Sequence, residues 1–211
     1  MRVDRKSMIC EAATALFNEK GYDKVSMREI AAKAQTTIGN LTYHFQKKED
    51  IVIRIVSDLH SDYAIYFSTE LYGLDLLKDL IESFQRAKDN EEKYPFYFKN
   101  LNDLVKNSEY FAKMNYDFQK KLYDYYLSCF LVLQEDGILK KQFQLNDFHI
   151  LALSFTTQIA GWLLECLPYH NPLLESTSIT QNLTVLLTPY IHNNYINDYE
   201  KIVNEVFDSL H

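Results

Sequence analysis

Apolar residues recur at helical spacing along almost the whole chain. Ile9, Ala12, Ala13, Leu16 and Phe17 share one face of a helix expected over about residues 4–20. Gly21 follows the last periodic position, where a glycine can supply the cap and Tyr22 can fold back onto the helix. Ser26 to Glu29 has capping-box spacing and opens a second helix of about two turns, with Met27, Ile30, Ala31 and Ala34 on its buried side. Thr36 and Thr37 offer another cap before Ile38, Leu41 and Phe45, which are expected to face inward on a third short helix. A fourth helix, about residues 47–71, carries Ile51, Val52, Ile55, Val56 and Leu59 in a stripe. The helical pattern continues over about 74–92, 94–106, 108–134 and 146–167, and from 178 onward, where Pro189 should kink or shorten the last helix. Strand-type alternation never dominates, so the expected fold is all-α.

Composition agrees with long helices and short connections: among 211 residues only 5 are Gly and 4 are Pro. There is no internal repeat, low-complexity tract or Gly/Ser linker, which puts any domain boundary between helices. Charge does change the picture. A net −7 argues against a polyanionic partner, yet through His60 there are ten Lys+Arg against eight Asp+Glu, leaving 12 against 21 for the rest. A locally basic surface on an acidic body is therefore expected.

Cys10, Cys129 and Cys166 are widely spaced, odd in number and without ligand spacing, and are read as reduced, buried thiols, with a redox-sensing role for one of them as the alternative. The segment MRVDRKSMIC has no apolar core of the secretory type, and the uncharged run from Phe148 to Leu164 falls short of a membrane span. A cytoplasmic protein with no membrane partner is expected. No HExxH, GxSxG, GxGxxG or phosphate-loop text occurs. The nearest catalytic-looking pairs, Asp147 with His149 and Glu135 with Asp136, are too close in sequence to share a helical face. Neither an enzyme nor a metal or other cofactor is expected.

Two short helices joined by a tight turn and preceded by a longer one describe a helix-turn-helix unit. In TTIGNLTYHF the polar tips of Thr36, Thr37, Asn40 and Tyr43 would point outward, and Gly39 would let another backbone come close. These residues, with Ile9 to Phe17, EKGYDKVSMREIAAKA and IGNLTYHFQKKEDI, resemble the DNA-binding domain of the TetR family of transcriptional regulators over about the first 55 positions. The resemblance implies an N-terminal three-helix DNA-binding domain over 1–48 and a helical effector-binding and dimerisation domain over 49–211. By position, Arg28, Thr36, Thr37 and Asn40 would meet base edges, with Tyr43, His44 and Lys48 on phosphates of double-stranded DNA and Gly39 allowing its close approach. The basic residues Arg2, Arg5 and Lys6 could add a phosphate or minor-groove contact, or form a free tail. The sequence departs from the family at Gln35, in place of the turn glycine, at Thr36, at Thr42 in place of a frequent tyrosine, and at Lys47 in place of a capping Ser or Asp.

The family also implies a homodimer and a repressor released by a small-molecule effector. Residues 146–167 are apolar around most of the helix, one side suiting the core and the other a second subunit, with Leu183, Leu186, Leu187, Tyr190 and Ile191 as a partner stripe. Clustered aromatics in the middle of the chain suit a largely apolar ligand cavity, for which Tyr97, Tyr110, Met114, Tyr126, Gln158 and Trp162 are lining candidates. The competing reading keeps the same fold on DNA as an architectural or partner-binding protein with no small-molecule effector.

Overall fold

A computed structural model describes residues 4–64, 70–166 and 179–208, with side chains for all of these except 62–64, 91, 160–166 and 208. The elements are α1 (Arg5–Lys20), α2 (Met27–Lys33), α3 (Ile38–His44), α4 (Lys48–Ala64), α5 (Gly73–Lys93), α6 (Pro95–Asn107), α7 (Glu109–Glu135), α8 (Leu145–Cys166), α9 (Ile179–Leu187) and α10 (Ile196–Asp208). Among the described residues the only β-type pairing is an isolated antiparallel bridge between Leu139 and Ile191. The all-α expectation holds.

The chain divides into two compact units, one of Met1–Tyr66 with Tyr94–Lys113, the other of Phe67–Lys93 with Met114–His211. The boundary expected after residue 48 does not coincide with this division. By packing, the first unit also takes in α4 and α6.

In the first unit α1 packs against α2, α4 and α6. Its apolar stripe delivers Ile9, Ala13, Leu16 and Phe17 to the interior, and Gly21 ends it at φ +85°, a backbone setting that favours glycine. Phe17 meets Phe96 of α6 at 5.1 Å between ring centres, and the Phe96 amide donates to Asn18 Oδ1 at 3.3 Å. Burial pushes the Cys10 thiol up to about 12, with Asp58 adding to the effect, so this cysteine is an inert core residue.

The second unit is built around rings. Phe84, Tyr126, Phe130, Phe148 and Phe155 form a contiguous buried group, with Phe84 and Phe130 both edge-on to Phe155. Tyr126 completes it, its hydroxyl 3.3 Å from that of Ser83. Nearby, Tyr125 donates to Asp79 at 2.7 Å and Arg86 donates to the same carboxylate at 3.2 Å, which compensates a mostly buried charge. Burial raises the Cys129 thiol to about 12. Cys166 has a side chain outside the described residues.

Two expectations about helix ends need adjusting. Residues 70–72 are not helical, so α4 stops short of Leu71. Pro189 does more than kink the last segment: α9 ends at Leu187, a single 3-10 turn spans Thr188–Tyr190, and α10 is a separate helix.

Candidate nucleic-acid interface

The second and third helices owe their placement to three local devices. Ser26 caps α2 with a reciprocal box, its Oγ accepting from the Glu29 amide while Glu29 accepts from the Ser26 amide at 2.9 Å. Lys20 adds a 2.9 Å ion pair, and together the bonds from Ser26 and Lys20 hold the Glu29 carboxyl down to about 2. The end of α2 is a Schellman turn in which the Thr36 amide donates to Ala31 at 2.9 Å and the Gln35 amide donates to Ala32 at 3.1 Å. Gln35 itself sits at φ +50°, so the turn keeps its usual form and strains a non-glycine residue by about 1 kcal/mol. Thr37 then caps α3, accepting from the Asn40 amide at 3.1 Å.

Leu41 and Phe45 are buried, as expected, and they seat α3 against the rest of the unit. The opposite side of the helix is open. Asn40 Nδ2 donates to Thr36 Oγ1 at 2.7 Å, which fixes the amide and leaves Oδ1 and one N–H available. That remaining donor–acceptor pair matches the major-groove edge of adenine. Tyr43 is 83% exposed, with its ring edge-on to the half-buried His44 at 5.2 Å. Arg28 is exposed on α2 and has no ion-pair partner among the described residues, because Glu29 is engaged by Lys20. Gly39 faces open space: a Cβ built there would meet nothing within 4 Å.

Ile38 differs from expectation, and Thr42 and Lys48 have partners that the spacing did not indicate. Ile38 is 42% exposed and lies on the outward side of α3. Thr42 folds its hydroxyl back onto the carbonyls of Ile38 and Gly39, at 3.0 and 3.1 Å. Lys48, expected on a phosphate, directs its ammonium at carbonyls of its own chain instead: Tyr22 at 2.6 Å, Val25 at 3.1 Å and Asp23 at 3.4 Å, with the Tyr22 ring 4.2 Å below. An ammonium has three N–H donors, and here all three have acceptors. Lys48 thus ties the 22–25 loop to the start of α4. Burial and Glu49 push the Tyr22 hydroxyl up to about 12, which keeps the phenol un-ionised below that pH. Lys47 lacks a capping side chain, and Asp50 compensates by accepting from the Lys47 amide at 3.0 Å.

The candidates for a ligand cavity scatter. Tyr97 is buried in the first unit against Phe98 and Phe111, whereas Tyr110 is 64% exposed and encloses nothing. Tyr126 is 0% exposed, so no water-sized space touches it and it is a packing residue of the aromatic core. Met114 and Gln158 are half-buried in the second unit, and Gln158 Oε1 is buried without a donor among the described residues. The Trp162 side chain lies outside the described residues. Asp147 and His149 are employed separately, Asp147 accepting from the Gln144 amide at 2.7 Å and His149 Nδ1 pairing with the Tyr123 hydroxyl; of the other pair screened, Asp136 accepts from the Gly73 amide at 2.7 Å. Among the described residues no group of three or more His, Cys, Asp or Glu could hold a metal, and no helix is long and apolar enough to cross a membrane.

The partner stripe also needs correction. Leu183, Leu187 and Ile191 belong to the core of the second unit, while Leu186 and Tyr190 are partly buried against it. On α8 and α9, which pack together, the large apolar residues left outside among the described ones are Leu145, Ile150, Leu153 and Val185, the last two 56% and 68% exposed.

A longer helix followed by two short ones across a tight turn, with the third presenting hydrogen-bonding side chains and an open glycine, defines a helix-turn-helix protein of the DNA-binding class. Residues 9–55 match the family described as "Bacterial regulatory proteins, tetR family". The probable HTH-type transcriptional regulator YttP of Bacillus subtilis is 28% identical over 131 residues, spanning 56% of this chain and 63% of that protein. HTH-type transcriptional regulator QacR of Staphylococcus aureus is 23% identical over 158 residues, spanning 74% of this chain and 82% of the relative. The fold of a TetR-family transcriptional regulator from Marinobacter aquaeolei VT8 superposes with a TM-score of 0.80 at 20% identity, covering 98% of this chain and 99% of the other. Residues 9–55 thus carry a tetR-type DNA-binding domain, and the chain is similar along most of its length to TetR-family regulators.

Proposed function

We propose that this protein is a cytoplasmic transcriptional repressor that binds a near-palindromic operator as a homodimer and is released by a small, largely apolar effector. In this reading residues 1–48 address double-stranded DNA and residues 49–211 carry effector binding and dimerisation. The observation that carries it is the outward side of α3, where Thr37, Gly39, Asn40 and Tyr43 stand exposed or half-buried, together with the exposed Arg28 of α2. Asn40 suits adenine and Arg28 suits guanine, both through paired hydrogen bonds, while Tyr43 and His44 reach toward phosphates. Thr36 acts through Asn40, and Lys48 acts through the loop it holds.

The effector half of the reading leans on Gln158, whose buried acceptor has no donor among the described residues, and on Trp162 one turn further along α8. The packing of Tyr126 and the exposure of Tyr110 favour the alternative without an effector. Trp162 fluorescence separates the two: a compound that releases DNA and perturbs the indole supports a ligand site, and release without perturbation supports the alternative.

The DNA reading is tested by selecting bound fragments from genomic DNA with the purified protein. Asn40→Ala should then lower the preference for the selected duplex over a scrambled one by roughly 5- to 150-fold, the worth of one bidentate base contact. Failure to retain any duplex at low ionic strength would overturn the reading.

A further inference from the structure

We infer that Ile38 is a specificity-determining residue, which with Thr42 forms an apolar strip on the outward side of α3 that receives the 5-methyl groups of thymine in the major groove. The inference rests on α3 being the helix that addresses DNA.

An exposed aliphatic residue on a protein surface is ordinary by itself. Ile38 differs because its place and its neighbour both point the same way. Within α3 the fold uses Leu41, which is fully buried, whereas Ile38 is left 42% exposed. A β-branched residue gives the helix no propensity advantage there. One helical turn later stands Thr42, and residues four apart lie on the same face. Its hydroxyl has a single hydrogen, and that hydrogen is directed at the carbonyls of Ile38 and Gly39. With the hydroxyl turned onto the helix, the group Thr42 has left to present is its methyl. Ile38 and Thr42 therefore make one continuous apolar surface about a turn long.

The surroundings of this strip are polar. Thr37 and Asn40 flank it with hydroxyl and amide groups, Tyr43 follows it, and Gly39 leaves the space beside it open. A face otherwise built from hydrogen-bonding groups has use for an apolar strip where its target offers an apolar group. In the major groove that group is the C5-methyl of thymine; cytosine, guanine and adenine present polar atoms or a bare C–H. Burying one methyl against an aliphatic side chain is worth roughly a three- to tenfold gain in affinity. Asn40 and Arg28 would then read the purines through hydrogen bonds, and Ile38 with Thr42 would read thymines through their methyls.

The test uses a duplex selected by the full-length protein from a random pool, followed by replacement of each thymine in turn with 2′-deoxyuridine, which removes the methyl and leaves base pairing intact. One or two positions in each half-site should cost the wild-type protein roughly three- to tenfold in affinity. Ile38→Ala should lose a similar factor on the thymine duplex and become indifferent to uridine at those positions, while Ile38→Val should keep the sensitivity. Uniform tolerance of uridine by the wild type, or unchanged sensitivity in Ile38→Ala, would overturn the inference and leave the DNA-binding function standing. If no duplex is selected at all, that function fails and this inference with it. Because the uridine scan on the wild type needs no variant, the result does not depend on how well a substitution folds.

Discussion

Gln35 and Gly39 lie four residues apart and break opposite rules. Gln35 holds a left-handed backbone setting without being glycine, and Gly39 is a glycine inside a helix with no neighbour that a methyl would strike. Gln35→Gly should therefore raise stability by about 0.5–1 kcal/mol, seen as a higher urea midpoint at unchanged slope. A lower midpoint would mean that the Gln35 side chain contributes more than its strain costs. Gly39→Ala should also stabilise, by up to about 1 kcal/mol, because alanine is the better helix former. The same change should weaken binding to a selected duplex by about tenfold or more, since one methyl would stand where a base edge must approach; stabilisation with undiminished binding would remove the reason offered for this glycine. At this scale the sequence was legible where spacing alone decides, as for Leu41 and Phe45. It misled for Ile38, since a seven-residue helix has too few positions to say which of two apolar residues three apart turns inward.

The ends of α2 and α4 show what a helix gains from its neighbours. The Glu29 carboxyl is held near 2 from an ordinary 4.5, so its contribution is present above about pH 4.5 and is lost as the pH falls toward 2. The difference in melting temperature between the wild type and Glu29→Ala should accordingly shrink between pH 5 and pH 2; a constant difference would show that the capping box does not depend on the ionised form. Lys48 fastens a loop more than twenty residues earlier in the chain. Lys48→Met should cost about 1–3 kcal/mol of stability, the worth of charged hydrogen bonds left unmade. It should leave the salt dependence of DNA binding unchanged, whereas loss of a phosphate contact would reduce that slope by about 1. Helix starts with a side-chain cap, such as Ser26 and Thr37, could be read from the sequence because capping is local. The role of Lys48 could not, since its acceptors are backbone carbonyls that carry no sequence signature.

For the molecule as a whole, the proposed dimer rests on α8 and α9. Their outward Leu153 and Val185 are suited to a second copy of the chain, and a double substitution Leu153→Glu with Val185→Glu should give a monomer in sedimentation at unchanged helicity. Operator affinity should fall by about a hundredfold or more as the second half-site contact is lost. A dimer that persists in this variant would place the interface elsewhere. The sequence showed that this helix pair has two apolar sides but assigned Leu183, Leu187 and Ile191 to the wrong one, because periodicity marks a buried face without saying what buries it.

Phe96 comes from a helix more than seventy residues downstream of the ring it covers. A gene fragment stopping near residue 64 would consequently encode a reader with a missing wall, its Phe17 laid open to water. Chimaeras that graft these N-terminal helices onto a foreign sensor would have to carry α6 along, or supply an aromatic plug of their own.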